Sequence, residues 1–357
     1  MTRKVKIYGA GSIGNHLAQA CRRIGWWVTI VDPDMEALRR TREEIYPARY
    51  GKWDNSIRLS HPDDALKDCF DVIFLGTPPH IRIDLAIEAL KELPKILLLE
   101  KPLCSPSMEK TNELIKKLRQ YPTMTVVGYD HVLSKATKTA EKLIEEKDFG
   151  RVLSLDVEFR ETWKGIFSAH PWLSGPEDTY LGFWEKGGGA SGEHSHALNL
   201  WQHFTHFLGL GKVREVSAIM KMVETDKVCY DESCFLNLTT EMGFVGRVAQ
   251  DVITEPVKKQ VRIQFAKGFL EILINGFEKR DVVYFQDAKS SGEIRIEKKR
   301  PDDFYEEILH IEEILKHRIL ANESPISLRR GLNTMRVIKA AHESRQKKKT
   351  IEIDYRQ

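Results

Sequence analysis

The sequence has few cysteines, and none of them lies in a redox or metal-binding spacing. There are five, an odd number, and no two of them are spaced as in a CxxC motif. This scarcity excludes a disulfide scaffold and predicts reduced thiols in a cytoplasmic protein. No apolar run approaches the length that crosses a bilayer. The first predicted strand begins near Val5, so we expect no signal peptide.

An excess of charge of one sign is also absent. The 55 basic and 52 acidic residues leave a net charge of +3, which is too small and too evenly spread to indicate a nucleic-acid partner. Internal repeats and low-complexity segments are missing as well. The sequence instead has the composition of an ordinary globular protein, with 41% hydrophobic and 30% charged residues. Its 357 residues predict two domains with ample core.

Unbroken apolar runs alternate with helical patterns over the first 128 residues. We predict strands at 5–8, 27–31, 57–59, 71–75, 95–99 and 125–127, with helices between them. Strands that are apolar on both faces are typical of a parallel sheet covered by helices on each side. The predicted fold class is therefore α/β, with a doubly wound Rossmann sheet in the N-terminal domain.

After about residue 150 the pattern changes to alternating polar and apolar residues, as in half-exposed antiparallel strands. Three helices interrupt or follow these strands, at about 193–207, 304–320 and 328–343. We therefore predict a dinucleotide-binding Rossmann domain over residues 1–128 and a C-terminal α/β domain over 129–357. The second domain should contain an open, mainly antiparallel sheet with helices on one face.

A glycine motif follows the first predicted strand and opens a helix. Gly9 allows a tight turn, Gly11 lets the backbone approach a pyrophosphate, and Gly14 lets the helix pack closely on the strand. The helix starts at Ser12 and Ile13, whose N–H groups lie at the positive end of the helix dipole and are available to phosphates. This context predicts a dinucleotide-binding turn.

Asp32 ends the second predicted strand, where a carboxylate accepts hydrogen bonds from the ribose hydroxyls of the adenosine. It would repel a 2′-phosphate, so NAD is favoured over NADP. Two alternatives stay open: Asp32 is a helix cap, or Arg39 and Arg40 soften the preference for NAD. The other cofactor-binding candidates lie at the ends of later strands: Thr77, Pro78, His80, Glu100 and Lys101.

Lys101 follows a buried predicted strand and is the first catalytic candidate. Strand ends of a parallel sheet form its ligand-binding edge, so Lys101 should lie where a cofactor's reactive end is held. A lysine there can donate hydrogen bonds to a substrate oxygen and to the nicotinamide carboxamide. Glu100 can orient its ammonium group, and Pro102 stiffens the turn. The alternative is a surface Glu–Lys pair.

A second rich segment runs from Gly187 through three consecutive glycines into a helix. The glycines predict backbone freedom at the edge of a cleft. At about 100° per residue, His196, Asn199, His203 and His206 share one arc of the helix. His196 lies in the first turn and suits a general acid/base, because imidazole titrates near neutral pH.

The other histidines of this helix have different expected roles. We expect His194 to point to the opposite side and to assist His196, whereas His203 and His206 should be structural. The opposed directions of His194 and His196, without a carboxylate at ligand spacing, predict no metal site.

Aromatic and basic residues precede the glycines and form a candidate substrate-binding set. Aromatic faces stack on sugar rings, and lysine or histidine can bind hydroxyls or phosphates. Core packing or a subunit interface is the alternative for each of them. The full set of substrate-binding candidates is Lys101, Tyr129, His131, Trp163, Lys164, His170, Trp172 and Asn199.

Taken together, these motifs resemble the Gfo/Idh/MocA family of glucose–fructose oxidoreductases and inositol dehydrogenases. The resemblance covers nearly the whole chain and is carried by Gly9–Gly14, Gly76–Pro79, Glu100-Lys101-Pro102, Gly128-Tyr129, Gly187–Ala190, His196–Asn199 and Ser324–Ser327. It implies an NAD(P)-dependent enzyme acting on a sugar, polyol or nucleotide sugar. It also implies a homodimer or homotetramer that forms through the C-terminal sheet.

The resemblance assigns the catalytic lysine to Lys101 and the catalytic histidine to His196. The family often has an aspartate four residues before that histidine, where this chain has Gly192. Glu193 is the candidate replacement, because residues three apart are neighbours on a helix. The family's usual aspartate three residues after the histidine is Asn199 here.

We therefore predict reversible hydride transfer between nicotinamide and a CH–OH or carbonyl carbon of a sugar-like substrate. Three alternatives remain open at this stage. The protein could be a carbonyl or imine reductase, a redox-neutral enzyme with tightly bound NAD, or a non-catalytic NAD-binding regulatory protein.

Overall fold

The computed structural model describes residues 2–67, 69–278, 280–299 and 301–355. The chain forms two compact units. The first contains Met1–Leu103, Glu109–Asp130 and Lys299–Arg329, and the second contains Cys104–Met108, His131–Lys298 and Arg330–Gln357. After its longest stretch in the first unit, the chain passes into the second unit between Asp130 and His131, which is close to the predicted boundary at 128. The structure differs from the expectation in assigning residues 299–329 to the first unit.

The first unit begins with alternating strands and helices. Its strands are β1 (Lys4–Tyr8), β2 (Trp27–Val31), β3 (Ile57–Ser60), β4 (Val72–Leu75), β5 (Ile96–Glu100) and β6 (Met124–Gly128). Its helices are α1 (Ser12–Arg23), α2 (Met35–Arg40), α3 (Tyr46–Tyr50), α4 (Pro79–Ala89) and α5 (Thr111–Leu118), with a π-helical segment, Thr41–Ile45, between α2 and α3.

All six strands of the first unit are parallel and lie in the order β3-β2-β1-β4-β5-β6. This is the Rossmann order, and it confirms the predicted fold class. Every residue of β4 and β5 is buried, as expected for strands covered on both faces. The strand order reverses between β1 and β4, where this type of sheet leaves a crevice at the carboxyl ends of its strands.

The second unit is built on long strands. Its elements start with α6 (Lys135–Glu146), β7 (Val152–Arg160), α7 (Lys164–Ser168), α8 (Gly189–Glu193), α9 (Ser195–Phe207), β8 (Val213–Glu224) and β9 (Cys229–Thr240). They continue with β10 (Val245–Asp251), β11 (Lys258–Phe265), β12 (Gly268–Phe277), β13 (Arg280–Gln286) and β14 (Ser291–Ile296). After α10 (Asp302–Leu315), which belongs to the first unit, come α11 (Leu328–Lys347) and β15 (Ile351–Glu352).

Nine strands form the sheet of the second unit, in the order β14-β13-β12-β11-β7-β10-β9-β8-β15. All neighbours are antiparallel except β7 and β10. Helix α9 packs on β7 and β10, and α6 packs on β12 and β13. The predicted open, mainly antiparallel sheet is thereby confirmed. Helix α6 and strands β14 and β15 were not among the predicted elements.

Segment 299–329 belongs to the first unit because its helix packs on α1. The ring of Phe304 stacks on His16 with centroids 5.1 Å apart, and Arg23 forms a 2.8 Å ion pair with Asp302. Further along, Ser327 forms a β-bridge with β6. A stretch that is distant in sequence thus completes the core of the Rossmann unit, a long-range pairing that local periodicity does not show.

Two further findings concern the chain as a whole. Among the described residues, no helix is both long and apolar enough to cross a membrane. The five cysteines are thiols rather than disulfides, and Cys21, Cys104 and Cys234 are buried.

Candidate functional site

The glycine turn of the first unit has the geometry that its three glycines predict. Gly9 has a φ of +106°, and a Cβ atom there would lie 3.0 Å from the Gly76 carbonyl oxygen. A Cβ atom on Gly14 would lie 2.0 Å from the Gly9 carbonyl oxygen, so only glycine fits. A Cβ atom on Gly11 would meet open space. The turn is thus tightly packed against the sheet and leaves room in front of Gly11.

This turn leaves backbone donors available at the start of α1. Gly11 is the N-cap residue and provides no side-chain cap, so the N–H groups of Ser12 and Ile13 remain available to an anion. At the end of β4, the Oγ1 atom of Thr77 is buried and has no hydrogen-bond partner among the described residues. A free helix N-terminus, an open approach at Gly11 and an orphaned hydroxyl fit a pyrophosphate-containing cofactor.

Asp32 lies at the end of β2 and organises the glycine turn. Its Oδ2 atom accepts a hydrogen bond from the Ala10 N–H at 2.8 Å, and its Oδ1 atom accepts one from the Asp34 N–H at 2.9 Å. A carboxylate has about four acceptor sites, so capacity remains for ribose hydroxyls. The helix cap that was the alternative role for Asp32 is Asp34, which accepts from the Glu36 N–H at 2.9 Å.

The two arginines of α2 are paired with carboxylates. Arg39 forms ion pairs of 2.7 Å with Glu36, Glu43 and Glu44, and Arg40 pairs with Asp34 at 3.2 Å. Because their charges are already matched, a 2′-phosphate gains little from them. The local charge arrangement favours NAD over NADP.

Lys101 directly follows β5 at the same sheet edge as the glycine turn. Strand β5 is two strands away from β1, which corresponds to roughly 10 Å along that edge. The Lys101–Pro102 peptide bond is cis, and the side chain of Lys101 is half-buried. His80 lies exposed in the first turn of α4, and Tyr129 is buried immediately after β6. Most first-unit candidates therefore lie at strand ends on one edge.

Glu100 is the last residue of β5 and is buried against Gly128, the last residue of β6. Its carboxylate lies flat against Gly128, where a Cβ atom would be only 2.9 Å from the carboxylate atoms. Its Oε2 atom accepts a hydrogen bond from the Lys101 N–H at 3.2 Å. Burial raises the pKa of Glu100 to about 7, against the opposing effect of Arg82 and Lys101. Glu100 thus contacts the main chain of Lys101 and needs a glycine opposite it.

Sequence reasoning missed Arg82, which is 2% exposed in α4. Its Nη1 atom donates to the carbonyl oxygen of Glu100 at 2.5 Å and to that of Pro102, and its Nη2 atom donates to the Thr77 carbonyl. One guanidinium therefore holds the carbonyls on both sides of Lys101 and the turn after β4. The sequence signal that could have identified Arg82 is its spacing, because it lies on the same face of α4 as the buried residues Pro79 and Ala86.

Another buried acid of the first unit is Glu307 of α10. Neither of its carboxylate oxygens has a hydrogen-bond partner among the described residues. Burial raises its pKa well above the ordinary value, and the charges of Glu100, Asp130 and Asp303 add to this effect. Glu307 is therefore protonated, and uncharged, over a wider pH range than an exposed glutamate.

In the second unit, the predicted helix 193–207 is divided at His194. Glu193 ends the short helix α8, His194 forms a corner, and α9 begins at Ser195. Glu193 and His196 therefore lie on different helices, and the expectation that they are neighbours on one helix does not hold. His194 is 4% exposed, and its carbonyl oxygen accepts a hydrogen bond from Gln250 Nε2 at 2.6 Å.

Phe159 of β7 contacts two of the candidate histidines, and one of these two contacts the third. The rings of His131 and His196 are in edge-to-face contact, with centroids 4.5 Å apart. Phe159 contacts His131 at 5.2 Å and His194 at 6.5 Å between ring centroids. Residues that are 65 positions apart in the sequence are thereby brought together, and the substrate-binding candidate His131 is in ring contact with His196.

The remaining polar residues of α9 have separate surroundings. His203 is buried and pairs with Glu141 at 2.7 Å, which agrees with a structural role. Asn199 is also buried, and its Nδ2 atom donates to Thr334 Oγ1 of α11 at 3.1 Å. His206 is exposed. The shared arc of the helix therefore does not correspond to a shared site.

Both backbone conformation and close packing require the glycines before α9, since Gly187 and Gly189 have φ values of +92° and +74°. A Cβ atom on Gly188 would lie 2.2 Å from the Tyr180 carbonyl oxygen. One on Gly192 would lie 2.1 Å from the Gly187 carbonyl oxygen. The family's aspartate therefore cannot be accommodated at position 192 in this backbone. The departure from the family pattern has a steric cause.

The aromatic and basic candidates after β7 form separate pairs. Trp163 is 6% exposed and packs against Tyr230, with ring centroids 4.9 Å apart. Lys164 is exposed and forms a 2.6 Å ion pair with Glu255. The rings of His170 and Trp172 contact each other at 5.2 Å. Trp163 therefore lies in the core, whereas the other three are closer to the surface.

The Rossmann strand order, the glycine turn and the polar edge define the first unit as a dinucleotide-binding domain. Residues 3–129 match the Gfo/Idh/MocA family, described as an oxidoreductase family with an NAD-binding Rossmann fold. The match covers the six strands of the parallel sheet. The family expected from the motifs, and NAD as its cofactor, are thereby confirmed.

Comparison with known proteins extends this likeness. A levoglucosan dehydrogenase of Pseudarthrobacter phenanthrenivorans is 27% identical over 176 residues, which cover 47% of this chain and 42% of that enzyme. A solved levoglucosan dehydrogenase, in complex with NADH and levoglucosan, has a TM-score of 0.76 at 17% identity, covering 99% of this chain and 100% of its own. The WlbA dehydrogenase from Bordetella pertussis, in complex with NADH and UDP-GlcNAcA, has a TM-score of 0.72 at 19% identity, with 99% of each chain covered. At these identities the solved structures establish the fold.

Proposed function

We propose that this protein transfers a hydride between NAD and a hydroxyl-bearing or carbonyl carbon of a sugar, polyol or nucleotide sugar. One observation carries the proposal: the glycine turn after β1 and Lys101 after β5 lie on the same edge of one parallel sheet. A cofactor whose pyrophosphate binds at the turn is long enough to extend its nicotinamide along that edge. The bound nicotinamide supplies or accepts the hydride.

The residues of this chain would bind, orient and move a proton. Lys101 would donate hydrogen bonds to the substrate oxygen and the nicotinamide carboxamide. His196 would exchange the hydroxyl proton as general acid/base. Its ring neighbour His131 would contact the substrate. His194 at the corner between α8 and α9, and Glu193 from the end of α8 rather than as a neighbour on α9, would assist His196. Lys164, His170 and Trp172 would be further substrate contacts.

The substrate class is supported by the ligands of related structures. The solved levoglucosan dehydrogenase holds levoglucosan, and the WlbA dehydrogenase holds UDP-GlcNAcA. Both ligands present several hydroxyl groups, which suit the imidazole, indole and ammonium groups of the candidate set. Within this class we propose a nucleotide sugar or a sugar acid, because the imidazole of His170 and the indole of Trp172 contact each other near the surface after β7.

The proposal is tested by NADH binding followed by a turnover screen. Purified protein is titrated with NADH and NADPH. The absorbance at the NADH band is then followed with NAD⁺ and levoglucosan, free sugars, inositols, UDP-glucose or UDP-GlcNAcA, and in parallel with NADH and carbonyl or imine compounds. We expect binding of NADH and turnover of one carbohydrate class. Turnover of carbonyl or imine compounds alone would identify a different reductase. Binding without turnover of any compound would favour a redox-neutral or regulatory role.

Asp32 provides a test of the cofactor preference. Replacing it with serine removes the ribose-binding carboxylate and the like-charge repulsion of a 2′-phosphate. We expect NADH binding to weaken by about tenfold, which corresponds to roughly 1.4 kcal/mol, and the preference for NADH over NADPH to narrow. The measurement is a fluorescence titration with both cofactors. Asp34→Asn, two residues further on, is the matched control and should keep the wild-type preference.

We further propose that copies of the chain associate through the open face of the second unit's sheet. Ile219 of β8 and Phe235 of β9 are direct cross-strand partners on this face and are 70% and 39% exposed. An exposed apolar pair of this kind is typical of an interface. We expect a dimer or tetramer by light scattering, and a smaller species for Ile219→Asp. Met242→Asp, at an equally exposed apolar position outside the strands, is the control and should leave the mass unchanged.

A further inference from the structure

A buried carboxylate lies beneath the segment that leads to His194 and His196. Asp231 of β9 is fully buried, and its Oδ2 atom accepts a hydrogen bond from the Ser191 N–H at 2.7 Å. Ser191 is the third residue of α8, whose N-cap Gly188 provides no side-chain cap. Asp231 therefore caps the N-terminus of α8 from a neighbouring strand. A negative charge at this end also interacts favourably with the helix dipole.

The same carboxylate is linked to α11 through the Ser191 hydroxyl. Ser191 Oγ donates to Asp231 Oδ1 at 3.1 Å and lies 3.1 Å from His342 Nε2. Because Ser191 has one hydroxyl hydrogen, His342 donates from Nε2 when Asp231 is ionised. Burial lowers the pKa of His342 to about 3, so its ring is neutral and carries that single proton. The carboxylate of Asp231, the Ser191 hydroxyl and His342 Nε2 then all have partners, whereas His342 Nδ1 is buried without one among the described residues.

The surroundings hold this network rigidly. The His342 ring stacks on Trp184 with centroids 4.4 Å apart. A Cβ atom on Gly189 would lie 2.0 Å from Asp231 Oδ1, so the carboxylate is packed directly against the glycine segment. From the adjacent strand β10, Gln250 holds the His194 carbonyl oxygen. Two neighbouring strands thus fix both ends of α8.

A buried carboxylate such as Asp231 lowers the stability of the fold when it is ionised. Burial raises the pKa of Asp231 to about 7, which shows that ionising it inside the protein is unfavourable despite its hydrogen bonds from Ser191. A small apolar residue would avoid this cost. The aspartate that the family often places before its catalytic histidine is excluded at Gly192 by the neighbouring carbonyl oxygen. An acid nevertheless reaches the same segment from β9.

We propose that Asp231, with Ser191 and His342, is a positioning residue that fixes α8 and thereby the orientation of His196. The proposal rests on the function proposed above for His196. Asp231 does not contact the histidine ring. It sets the backbone from which α9 starts, so that His196 is held in one orientation before substrate binds. Catalysis by a general base depends strongly on such placement.

The test compares Asp231→Ala with Asp231→Asn. Asparagine can still accept from the Ser191 N–H and donate to its hydroxyl, whereas alanine leaves that N–H without its partner. The first readout needs no substrate: the carbon–proton NMR signals of the histidine rings, with the His196 signal assigned by His196→Gln. We expect Asp231→Ala to shift or broaden the His196 signal and Asp231→Asn to restore it. The signal of exposed His206 is the internal control.

Turnover and NADH binding complete the test. With the substrate found in the screen, Asp231→Ala should lower kcat by about 100-fold, with NADH affinity unchanged, because the cofactor-binding candidates belong to the first unit. A folded Asp231→Ala with a wild-type His196 signal and wild-type kcat would overturn the inference while leaving the proposed function intact. If His196→Gln has wild-type turnover, the proposed role of His196 itself is wrong.

A second variant covers the case in which Asp231→Ala does not fold. Ser191→Ala removes only the hydroxyl that joins Asp231 to His342 and keeps the N–H cap of α8. We expect a smaller change of the His196 signal and a smaller loss of kcat than for Asp231→Ala. An unchanged signal together with an unchanged kcat in this variant would overturn the inference.

Discussion

Replacing Lys101 with alanine is expected to lower kcat by about 1,000-fold while leaving NADH bound. An ammonium group that stabilises developing charge on a substrate oxygen acts mainly in the transition state, and such groups are worth about 10²–10³-fold or more each. The glycine turn and Asp32 are unchanged in this variant, so loss of the carboxamide hydrogen bond should raise the dissociation constant for NADH by less than about tenfold. Turnover is measured at the NADH absorbance, and binding is measured by fluorescence titration.

The matched control is the lysine at the opposite end of β5. Lys95 precedes β5 at its amino end, where its ammonium group forms a 2.7 Å ion pair with Asp71. Lys95→Ala removes the same charge from the opposite edge of the sheet and should keep wild-type kcat. Wild-type kcat in Lys101→Ala would refute the role proposed for this lysine. Loss of NADH binding in Lys101→Ala would show that it serves the cofactor rather than the chemical step.

Replacing His196 with glutamine is expected to lower kcat by about 10²–10⁴-fold, the usual contribution of a general acid/base. Glutamine keeps much of the size of the side chain but cannot take up a proton. In the oxidative direction the base must be neutral, so wild-type kcat should rise as the pH increases through the range in which imidazole loses its proton. The variant should lose this rise. The measurement is kcat against pH for both proteins.

His206→Gln is the control for this series, because His206 lies on the same helix and is exposed. It should keep both the rate and the pH profile of the wild type. His131→Gln adds a finer distinction, since its ring contacts His196. A rise in KM with kcat retained would assign His131 to substrate binding. Loss of the pH dependence in His131→Gln but not in His196→Gln would move the proton transfer to His131.

The fold of the first unit could be predicted from local patterns because its central strands β4 and β5 are apolar on both faces. Those runs have few alternatives to a parallel sheet covered by helices, and the glycine turn after β1 marks where the first helix begins. The position of Lys101 at the ligand edge follows from the same logic. A residue that directly follows a parallel strand must lie at the carboxyl end of the sheet.

The helix predicted over 193–207 shows where local periodicity fails. Its apolar spacing continues through His194, but the structure divides it into α8 and α9. At the break, the Gln250 amide and the Asp231 carboxylate form hydrogen bonds with this segment from strands β10 and β9. No pattern within the helix itself contains that information.

The sequence by itself determined the class of fold, the dinucleotide turn, the NAD preference expected from Asp32 and the place of Lys101 on its strand. These features depend on residues that are close together in the chain, so spacing and side-chain chemistry are enough to find them. The tertiary structure decided which distant residues meet. It placed α10 with the Rossmann unit, Arg82 around the carbonyls that flank Lys101, and His131 beside His196. It also showed that Gly192 has no room for a side chain, because that limit is set by a carbonyl oxygen packed against it.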